Sequence, residues 1–413
     1  MNGLWLPLFV FIGVLLFLIG GLAARRYWVM VVDQDSVQGS DLHMLKWCRS
    51  EGTRAWGWFH LTFDDREAFT DIGAAIKRNM AASVAKPQSN FKRGVDLDRR
   101  RFVFHEHYAL DDVLEETNTT TNFLRMTDTR KRELVYRLNP EARMLGILFD
   151  HTVWDGVRIV NETLCPAIEA RPFDERWLVK DRYYPVFSEL LILYASAVMG
   201  WRWLRHRPLR TLSNEHEQRV IRHKVATSDI KKLKASASSK FGAALLALWA
   251  DRLFNALTDK RDKLRFGVLI GMDSSRFRNN YSILTIDVPR RSDPVELARE
   301  IDRQMHWRRI EVLPIFHLIS LLEIQTLFKA NMVDCLFSPA VFERQDGPSR
   351  HVEDFHFFNI RSTLPLYTFA CTVDDTVMIS TTWNAPEVSL EQLRADACDV
   401  HRIDDQKVLI DES

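Results

Sequence analysis

The chain has 413 residues, which is long enough for two or three domains. Its apolar (46%) and charged (27%) fractions are typical of a globular protein, and a formal net charge of +1 gives no electrostatic reason to expect a nucleic-acid partner. The five cysteines are scattered and form no CxxC pair. This argues against a disulfide framework or a zinc site and fits a reducing compartment.

The N-terminal segment Leu4–Ala24 is uncharged and mostly apolar, and it is long enough to span a bilayer core of about 30 Å. Trp5 and Trp28 flank it, as aromatic side chains do at membrane interfaces. No Lys or Arg precedes the segment, so we favour a retained transmembrane anchor at residues 1–26 over a cleaved signal peptide. The Arg25–Arg26 pair then predicts a single-pass membrane protein whose catalytic part is cytosolic.

Residues 27–182 are predicted to form the first subdomain. Hydrophobic patterns in it predict a helix and several strands: helix Arg66–Ala82 and strands Gly57–Thr62, Arg101–His105, Glu133–Leu138 and Met144–Phe149. His105 and His107 would share one face of their strand, but no third metal ligand accompanies them, so no metal site is predicted.

The segment His151–Gly156 reads HTVWDG and lies where two patterns meet. The apolar run before it predicts a buried strand, and apolar residues at helical spacing after it predict a helix over Gly156–Ala170. A loop held between rigid elements is a common place for catalytic side chains. The alternative is structural: Asp155 would cap the helix and His151 would be an ordinary half-buried histidine.

Residues 183–210 form an apolar segment with a basic end, and three interpretations of it remain open. Val186–Trp203 could be a helix that crosses between two halves of the protein. Its Trp201, Trp203 and basic end would also suit a helix lying in the membrane interface. Full re-entry into the membrane is disfavoured, because the stretch is short and contains Glu189.

Residues 211–413 are predicted to form the second subdomain. Patterns and capping boxes predict two helices within Ser228–Leu257, further helices after Asp293 and Ser389 and over Leu313–Leu327, and strands at Gln218–Ala226, Arg265–Gly271, Tyr281–Val288, Leu364–Val373 and Val377–Trp383.

HTVWDG resembles the HxxxDG motif of the chloramphenicol-acetyltransferase-like acyltransferases, which include condensation domains, the plant BAHD enzymes and the wax ester synthase/diacylglycerol acyltransferases. The resemblance implies that His151 is the general base and that Asp155 holds the loop, while Gly156 lets the backbone approach closely. Many relatives carry a second His before the motif, where this chain has Asp150. BAHD enzymes also carry a DFGWG motif, which is missing here.

The order of elements in the second half resembles the same superfamily. In BAHD relatives an Arg in the loop corresponding to Gly271–Tyr281 pairs with the motif Asp, which implies that Arg276 is the partner of Asp155, with Arg278 as second choice. Asn280, Ser282 and backbone NH groups beside Trp154 or Gly156 are candidate oxyanion donors or substrate contacts.

The resemblance implies an α/β (α+β) fold of two such subdomains with mixed sheets and a tunnel between them, here preceded by one transmembrane helix. It also implies an acyl-CoA-dependent transferase that needs no other cofactor and acts on a hydrophobic, lipid-like alcohol. Two alternatives remain: an N-acyltransferase or condensation-like enzyme with an amine acceptor or carrier-bound donor, and an inactive membrane-tethered binding module. A carrier-protein partner would favour the first, and lack of activity the second.

Overall fold

The computed structural model describes residues 12–24, 56–87, 89–96, 99–118, 133–151, 153–154, 156–169, 171–173, 193–194, 197–198, 201–202, 205–212, 219–271, 281–312, 315, 333–342, 351–360, 364–373, 375–395, 397–404 and 407–410. Residues 12–24 are helical. None of the helices in these ranges has the length and apolar character needed to cross a membrane. The transmembrane helix predicted within residues 1–26 is therefore not confirmed, and much of it lies outside the described ranges.

A five-stranded sheet carries the HTVWDG motif. Its strands lie in the order β11-β1-β6-β5-β4, with bounds Trp56–Phe63 (β1), Leu114–Glu116 (β4), Leu134–Asn139 (β5), Met144–Asp150 (β6) and Val352–Ile360 (β11). The sheet is mixed, because β4 runs parallel to β5 and the other pairs are antiparallel. Strand β11 comes from the second half of the chain, and we predicted no strand there.

Helix α1 (Arg66–Val84) packs on this sheet because one of its faces is apolar. Phe69, Ile72, Ile76 and Met80 recur at helical spacing and are all buried. Asp65 begins the helix by accepting a hydrogen bond from the NH of Ala68 at 2.7 Å. Smaller elements complete this half: β2 (Arg93–Asp96) pairs with β3 (Arg101–Phe104), and α2 (Leu110–Val113) precedes β4.

The helix after the motif is less regular than predicted. It consists of α3 (Gly156–Arg158), a π-helical turn (Ile159–Leu164) and α4 (Cys165–Ile168). Thr163 donates from its hydroxyl to the carbonyl of Ile159 at 2.6 Å and also bonds the Tyr136 hydroxyl of β5. Hydrogen bonds of Thr163 therefore connect the sheet to the helix at the π turn. Hydrophobic periodicity in the sequence does not predict such a turn.

An eight-stranded mixed sheet dominates the second half. Its order is β15-β14-β7-β13-β12-β10-β8-β9, with bounds Arg219–Ala226 (β7), Lys263–Gly271 (β8), Tyr281–Pro289 (β9), Cys335–Phe342 (β10), Leu366–Val373 (β12), Thr376–Trp383 (β13), Asp399–Asp404 (β14) and Lys407–Ile410 (β15). We did not predict β10, β14 or β15. The mixed sheets confirm the predicted α/β architecture.

Helices α5 (Thr227–Ala237), α6 (Phe241–Ala256), α7 (Pro294–Trp307) and α8 (Leu390–Arg394) accompany the larger sheet. Two predicted starts are confirmed: Asp293 accepts from the NH of Val295, and Ser389 accepts from the NH of Gln392. Of the predicted helix Leu313–Leu327, all but residue 315 lies outside the described residues.

Two hydrophobic cores cover opposite faces of the eight-stranded sheet. Strand β12 shows the division: Tyr367 and Phe369 belong to a core shared with the five-stranded sheet, whereas Leu366 and Ala370 face the other side and pack with helices α5, α6 and α7. This alternation follows from the two-residue period of a strand. The first core thus lies where the two sheets meet.

Buried ion pairs attach the end of the 183–210 segment to the eight-stranded sheet. Asp334, which is fully buried, accepts hydrogen bonds from the NH groups of Leu209 (2.8 Å) and Arg265 (2.7 Å). Arg261 and His206 contact the same carboxylate, each at 3.4 Å. Residues 206–209 at the end of this segment are therefore held against the second half.

A second buried network joins the two sheets. Asp354 on β11 contacts Lys224 of β7 at 2.7 Å and His356 at 3.7 Å. His356 is buried, and its Nδ1 lies 3.0 Å from the hydroxyl of Ser380 on β13. Burial works against ionisation of Asp354, but the contacts with His356 and Lys224 outweigh it and hold the pKa of the carboxyl well below its usual range.

Replacing Asp334 with Ala should lower the free energy of unfolding by about 3–5 kcal/mol, because two buried NH groups and the charges beside them lose their partner. Chemical denaturation measures this change. The control is Asp229→Ala, since Asp229 pairs with Lys232 on the exposed surface of α5 and should cost less than about 1 kcal/mol. Equal effects of the two substitutions would contradict the assigned role of Asp334.

Asp354→Asn should be less stable than the wild type at pH 7, and the difference should shrink in acid. A carboxylate whose folded-state pKa is lowered stabilises the fold fully above its unfolded pKa of about 3.9 and loses that contribution as the pH falls towards the folded value. Free energies of unfolding measured for both proteins between pH 7 and pH 2 test this. A difference that does not change with pH would show that the Asp354 pairs contribute nothing.

Candidate functional site

His151 follows directly on β6, the strand between β1 and β5 in the five-stranded sheet. The strand is buried from Leu145 onwards, and up to Phe149 this follows from its apolar composition. The chain reaches partial exposure at His151. The predicted placement of His151 at the end of a buried strand is confirmed. Strand pairing on both sides of β6 fixes the backbone directly before His151.

A tight turn reverses the chain immediately after the strand. The carbonyl of Asp150 accepts hydrogen bonds from the NH groups of Val153 and Trp154, both at 3.0 Å. The NH of Asp150 donates to the carbonyl of Glu133 at 2.8 Å. The NH of Trp154, which we considered as an oxyanion donor, is therefore used within the turn. Asp150, at the position of the second His in many relatives, is fully buried.

Aromatic side chains pack against Trp154 in this turn. Trp154 is buried and its ring lies 5.6 Å from that of Phe91, which in turn stacks on Phe173 at 5.4 Å. Phe91 belongs to the short turn before β2, and Phe173 follows the motif helix. The middle of the HTVWDG segment is therefore part of the hydrophobic core.

His151 lies against a cluster of phenylalanines. Its ring is 5.5 Å from the ring of Phe149, which packs on Phe59 at 5.5 Å. The cluster, called here the aromatic platform, consists of Phe59 (β1), Phe149 (β6), Phe355 and Phe357 (β11) and Phe369 (β12). Both sheets contribute to it, so His151 lies at their junction.

Two glycines make room for the platform. A Cβ added at Gly57 would lie 2.3 Å from Cζ of Phe149, and one added at Gly156 would lie 3.1 Å from Cζ of Phe59. Real side chains essentially never approach so closely at Gly57, and the contact at Gly156 is tight. The tight neighbour of Gly156 is thus the platform beneath His151, while its predicted close approach to the reacting groups stays a prediction.

Three of the predicted site residues, Asp155, Arg276 and Asn280, lie outside the described residues, as does Arg278. The pairing of Asp155 with Arg276 therefore stays a prediction. Ser282 is described and lies on the edge strand β9. It is buried, and its hydroxyl donates to the carbonyl of Val312 at 2.6 Å. Among the described residues, His151 and Gly156 both lie next to Phe149. No described contact joins Ser282 to these residues.

A polar cluster next to the motif turn was missed by the sequence analysis. Glu133, whose carbonyl bonds Asp150, is buried and accepts a hydrogen bond from the Tyr108 hydroxyl at 2.8 Å. His105 lies 3.3 Å from the same carboxylate and stacks on Tyr108 at 4.6 Å. His105 thus has a carboxylate partner, and no group of three metal-binding side chains occurs in the part of the chain that the structure describes.

Cysteine chemistry is disfavoured beside the motif. The four described cysteines, Cys165, Cys335, Cys371 and Cys398, are free thiols. Cys165, in the helix after the motif, has a pKa raised to about 11, chiefly by burial and then by the charge of Glu169. Burial likewise raises the pKa of Cys335 to about 12. Since the thiolate is the nucleophile, neither thiol is poised for attack at neutral pH.

The arrangement suits proton transfer near an apolar surface. Imidazole is the side chain that most often acts as general base near neutral pH, and His151 combines partial exposure with rigid backbone support. The platform beneath it is buried in the hydrophobic core and carries no charge, so it supports the imidazole from the apolar side. A reaction that deprotonates a neutral hydroxyl or amine fits this environment better than one that handles a polyanion at the same place.

No family model and no curated protein matches the sequence. Solved structures do. The chain is similar to a condensation domain that mediates chain release from the enacyloxin polyketide synthase, with a TM-score of 0.52 at 10% identity over 88% of this chain and 81% of that one. Its similarity to TRI3 trichothecene 15-O-acetyltransferase from Fusarium sporotrichioides has a TM-score of 0.56 at 10% identity over 84% and 89%.

A third similar structure is the wax ester synthase/diacylglycerol acyltransferase from Marinobacter aquaeolei VT8, with a TM-score of 0.50 at 12% identity. The match covers 90% of this chain and 95% of that one. At such low identity these similarities show a common fold and nothing narrower. The chain therefore shares its fold with these three proteins, and this is the fold that the resemblance of its HTVWDG motif implies.

Proposed function

We propose that the protein is an acyltransferase that moves an acyl group from acyl-CoA to the hydroxyl of a hydrophobic, lipid-like acceptor. The observation that carries the proposal is the position of His151: half-buried at the end of β6, on an aromatic platform built from both sheets. Similarity to an O-acetyltransferase and to a wax ester synthase supports the reaction class.

In the proposed reaction, the His151 imidazole accepts the proton of the acceptor hydroxyl as its oxygen attacks the thioester carbon. The C–O bond forms, the C–S bond breaks, and the imidazolium returns the proton to the leaving thiolate. Asp155, paired with Arg276, would hold the loop and take no proton. Asn280 or a backbone NH near Gly156 would stabilise the oxyanion. The buried phenylalanines of the platform would keep the His151 ring in place during these steps.

The proposal extends to the cellular location. The apolar segment Leu4–Ala24 would tether the chain to a membrane, with Arg25–Arg26 and the catalytic part on the cytosolic side. An acceptor dissolved in the bilayer would then be concentrated near the enzyme. This tether is a separate proposal from the chemistry, and acyl transfer by His151 does not depend on it.

A condensation-like reaction is the second candidate, because a condensation domain is among the similar structures. Its acceptor would be an amine or its donor a carrier-bound thioester, and the same imidazole would serve as base. The buried Asp150, at the position where many relatives have a second His, leaves a non-catalytic binding module as the third reading. The experiment with His151 separates all three.

His151→Ala should lower kcat for ester formation by about 10²–10⁴-fold, which is the usual contribution of a general base. Labelled acyl-CoA is incubated with membranes containing the full chain and a panel of fatty alcohols, diacylglycerol and sterols, and the labelled ester is measured.

The matched control for that assay is His107→Ala, the same substitution at an exposed histidine. Equal product from wild type and His151→Ala would contradict the assignment of the base. Product that forms only with amines or carrier-bound donors would select the condensation-like reaction. Absence of transfer with every donor and acceptor would leave the binding module.

Gly57→Ala should lower kcat by about tenfold while changing KM little, because the new Cβ displaces the Phe149 ring on which His151 rests. We also expect unfolding to become easier by about 1–3 kcal/mol, as for other overpacked sites. Steady-state kinetics well below the unfolding temperature separate the two effects. Gly242→Ala is the control, since nothing lies within 4 Å of its added Cβ. An unchanged kcat in Gly57→Ala would show that the platform does not position His151.

A further inference from the structure

Large apolar side chains that are exposed fall in two places within the described residues. One is the helical segment 12–24. The other combines the crossover with the end of α7, where Tyr194 (60% exposed), Trp201 (57%), Trp307 (71%) and Ile310 (61%) point outwards. A soluble surface seldom gathers two tryptophans and an isoleucine at such exposure without a partner.

Trp201, Trp307 and Ile310 belong to one surface because their inward-facing neighbours meet. Arg202, next to Trp201, donates to the carbonyl of Thr285 at 2.9 Å. Arg308, next to Trp307, donates to the same carbonyl at 3.0 Å. Arg202 also pairs at 3.1 Å with Glu311, the neighbour of Ile310. We call the three outward side chains, Trp201, Trp307 and Ile310, the aromatic patch.

The base of the patch is rigid. Arg265 forms a two-pronged hydrogen bond with Asp287 at 2.6 and 3.3 Å and donates to the carbonyl of Arg202 at 3.1 Å. Burial, followed by the neighbouring Arg308, lowers the pKa of Arg202 to about 10, so Arg202 stays charged at neutral pH. The carboxylates of Asp287 and Glu311 beneath the patch thus form ion pairs with arginines inside the protein.

Exposed arginines lie close to the patch residues in the chain. Arg205, Arg207 and Arg309 are exposed, and within the described part of the chain none of them forms an ion pair. The guanidinium of Arg205 lies 4.1 Å from the centre of the Trp201 ring. The chain as a whole has a formal net charge of only +1. The positive charge beside the patch is therefore a local feature.

We propose that the aromatic patch, with Arg205 and Arg309, docks the protein on the surface of an anionic lipid bilayer. Tryptophan is enriched at the level of lipid headgroups, and exposed arginines are attracted by anionic lipids. A protein partner would need acidic groups facing these arginines, whereas a bilayer supplies both the apolar layer and the charge. The surface is independent of acyl transfer, and its test does not use activity.

The test uses the full-length protein on vesicles of phosphatidylcholine, alone or mixed with phosphatidylglycerol, whose acyl chains are brominated near the headgroup. Bromine quenches tryptophan fluorescence on contact. The variant W201F/W307F keeps the apolar character but removes two of the 12 tryptophans. The matched control W249F/W383F removes two tryptophans that donate hydrogen bonds inside the second half, to Thr368 and to the carbonyl of Val388.

We expect the mixed vesicles to quench the wild type and the control alike, and W201F/W307F to lose most of the quenching that phosphatidylglycerol adds. The variant R205E/R309E should lose the same component while keeping both tryptophans. Quenching by the N-terminal segment is common to all four proteins and cancels in the comparison.

Equal quenching of wild type and W201F/W307F would overturn the proposal. So would a sedimentation experiment without lipid in which the wild type forms a dimer that W201A/W307A abolishes, since a second copy of the chain would then be the occupant of the patch. Loss of ester formation in any variant has no bearing on either outcome.

Discussion

The pairing of β11 with β1 is the constraint on which the rest of the structure depends. It joins Trp56–Phe63 to Val352–Ile360 in one antiparallel ladder, although the two strands lie far apart in the chain. Through it, a strand of the second half becomes the edge of the motif sheet. Phe355 and Phe357 therefore lie beside Phe59 and Phe149, and the platform beneath His151 exists only when both halves are folded. Backbone pairing of this kind positions side chains more firmly than loop contacts do.

The junction of the two sheets contains two different kinds of interaction. On one face of β11, phenylalanines pack on Phe369 of the larger sheet. On the other, Asp354 and His356 reach Lys224 and Ser380 through polar contacts. Apolar packing contributes most of the stabilisation but tolerates small shifts of the side chains. Buried polar contacts form only when the strands have one specific register. The combination explains how a junction can be stable and still hold a histidine in one place.

The two surfaces with functional proposals lie on different parts of the fold. His151 rests on the first core, while the aromatic patch is built on ion pairs around Thr285 and Asp287 on the strand at the edge of the larger sheet. If both proposals hold, the protein binds lipid with one part of its surface and carries out acyl transfer at another. A lipid-like acceptor would explain why one protein combines them, since docking would bring the enzyme to the phase in which its substrate dissolves.

The sequence by itself determined most of the local structure: the buried strand before His151, the helix predicted over Arg66–Ala82, and the start of α7 at Asp293. These helices and strands depend on residues that are close in the chain, so their periodicity and capping residues can be recognised in the sequence. The motif also predicted the fold. Only the tertiary structure decided that β11 joins the first sheet, that Gly57 makes room for Phe149, and that Glu133 supports the motif turn. Those contacts join residues far apart in the chain, and no pattern within a short window can encode which distant strand lies beside which.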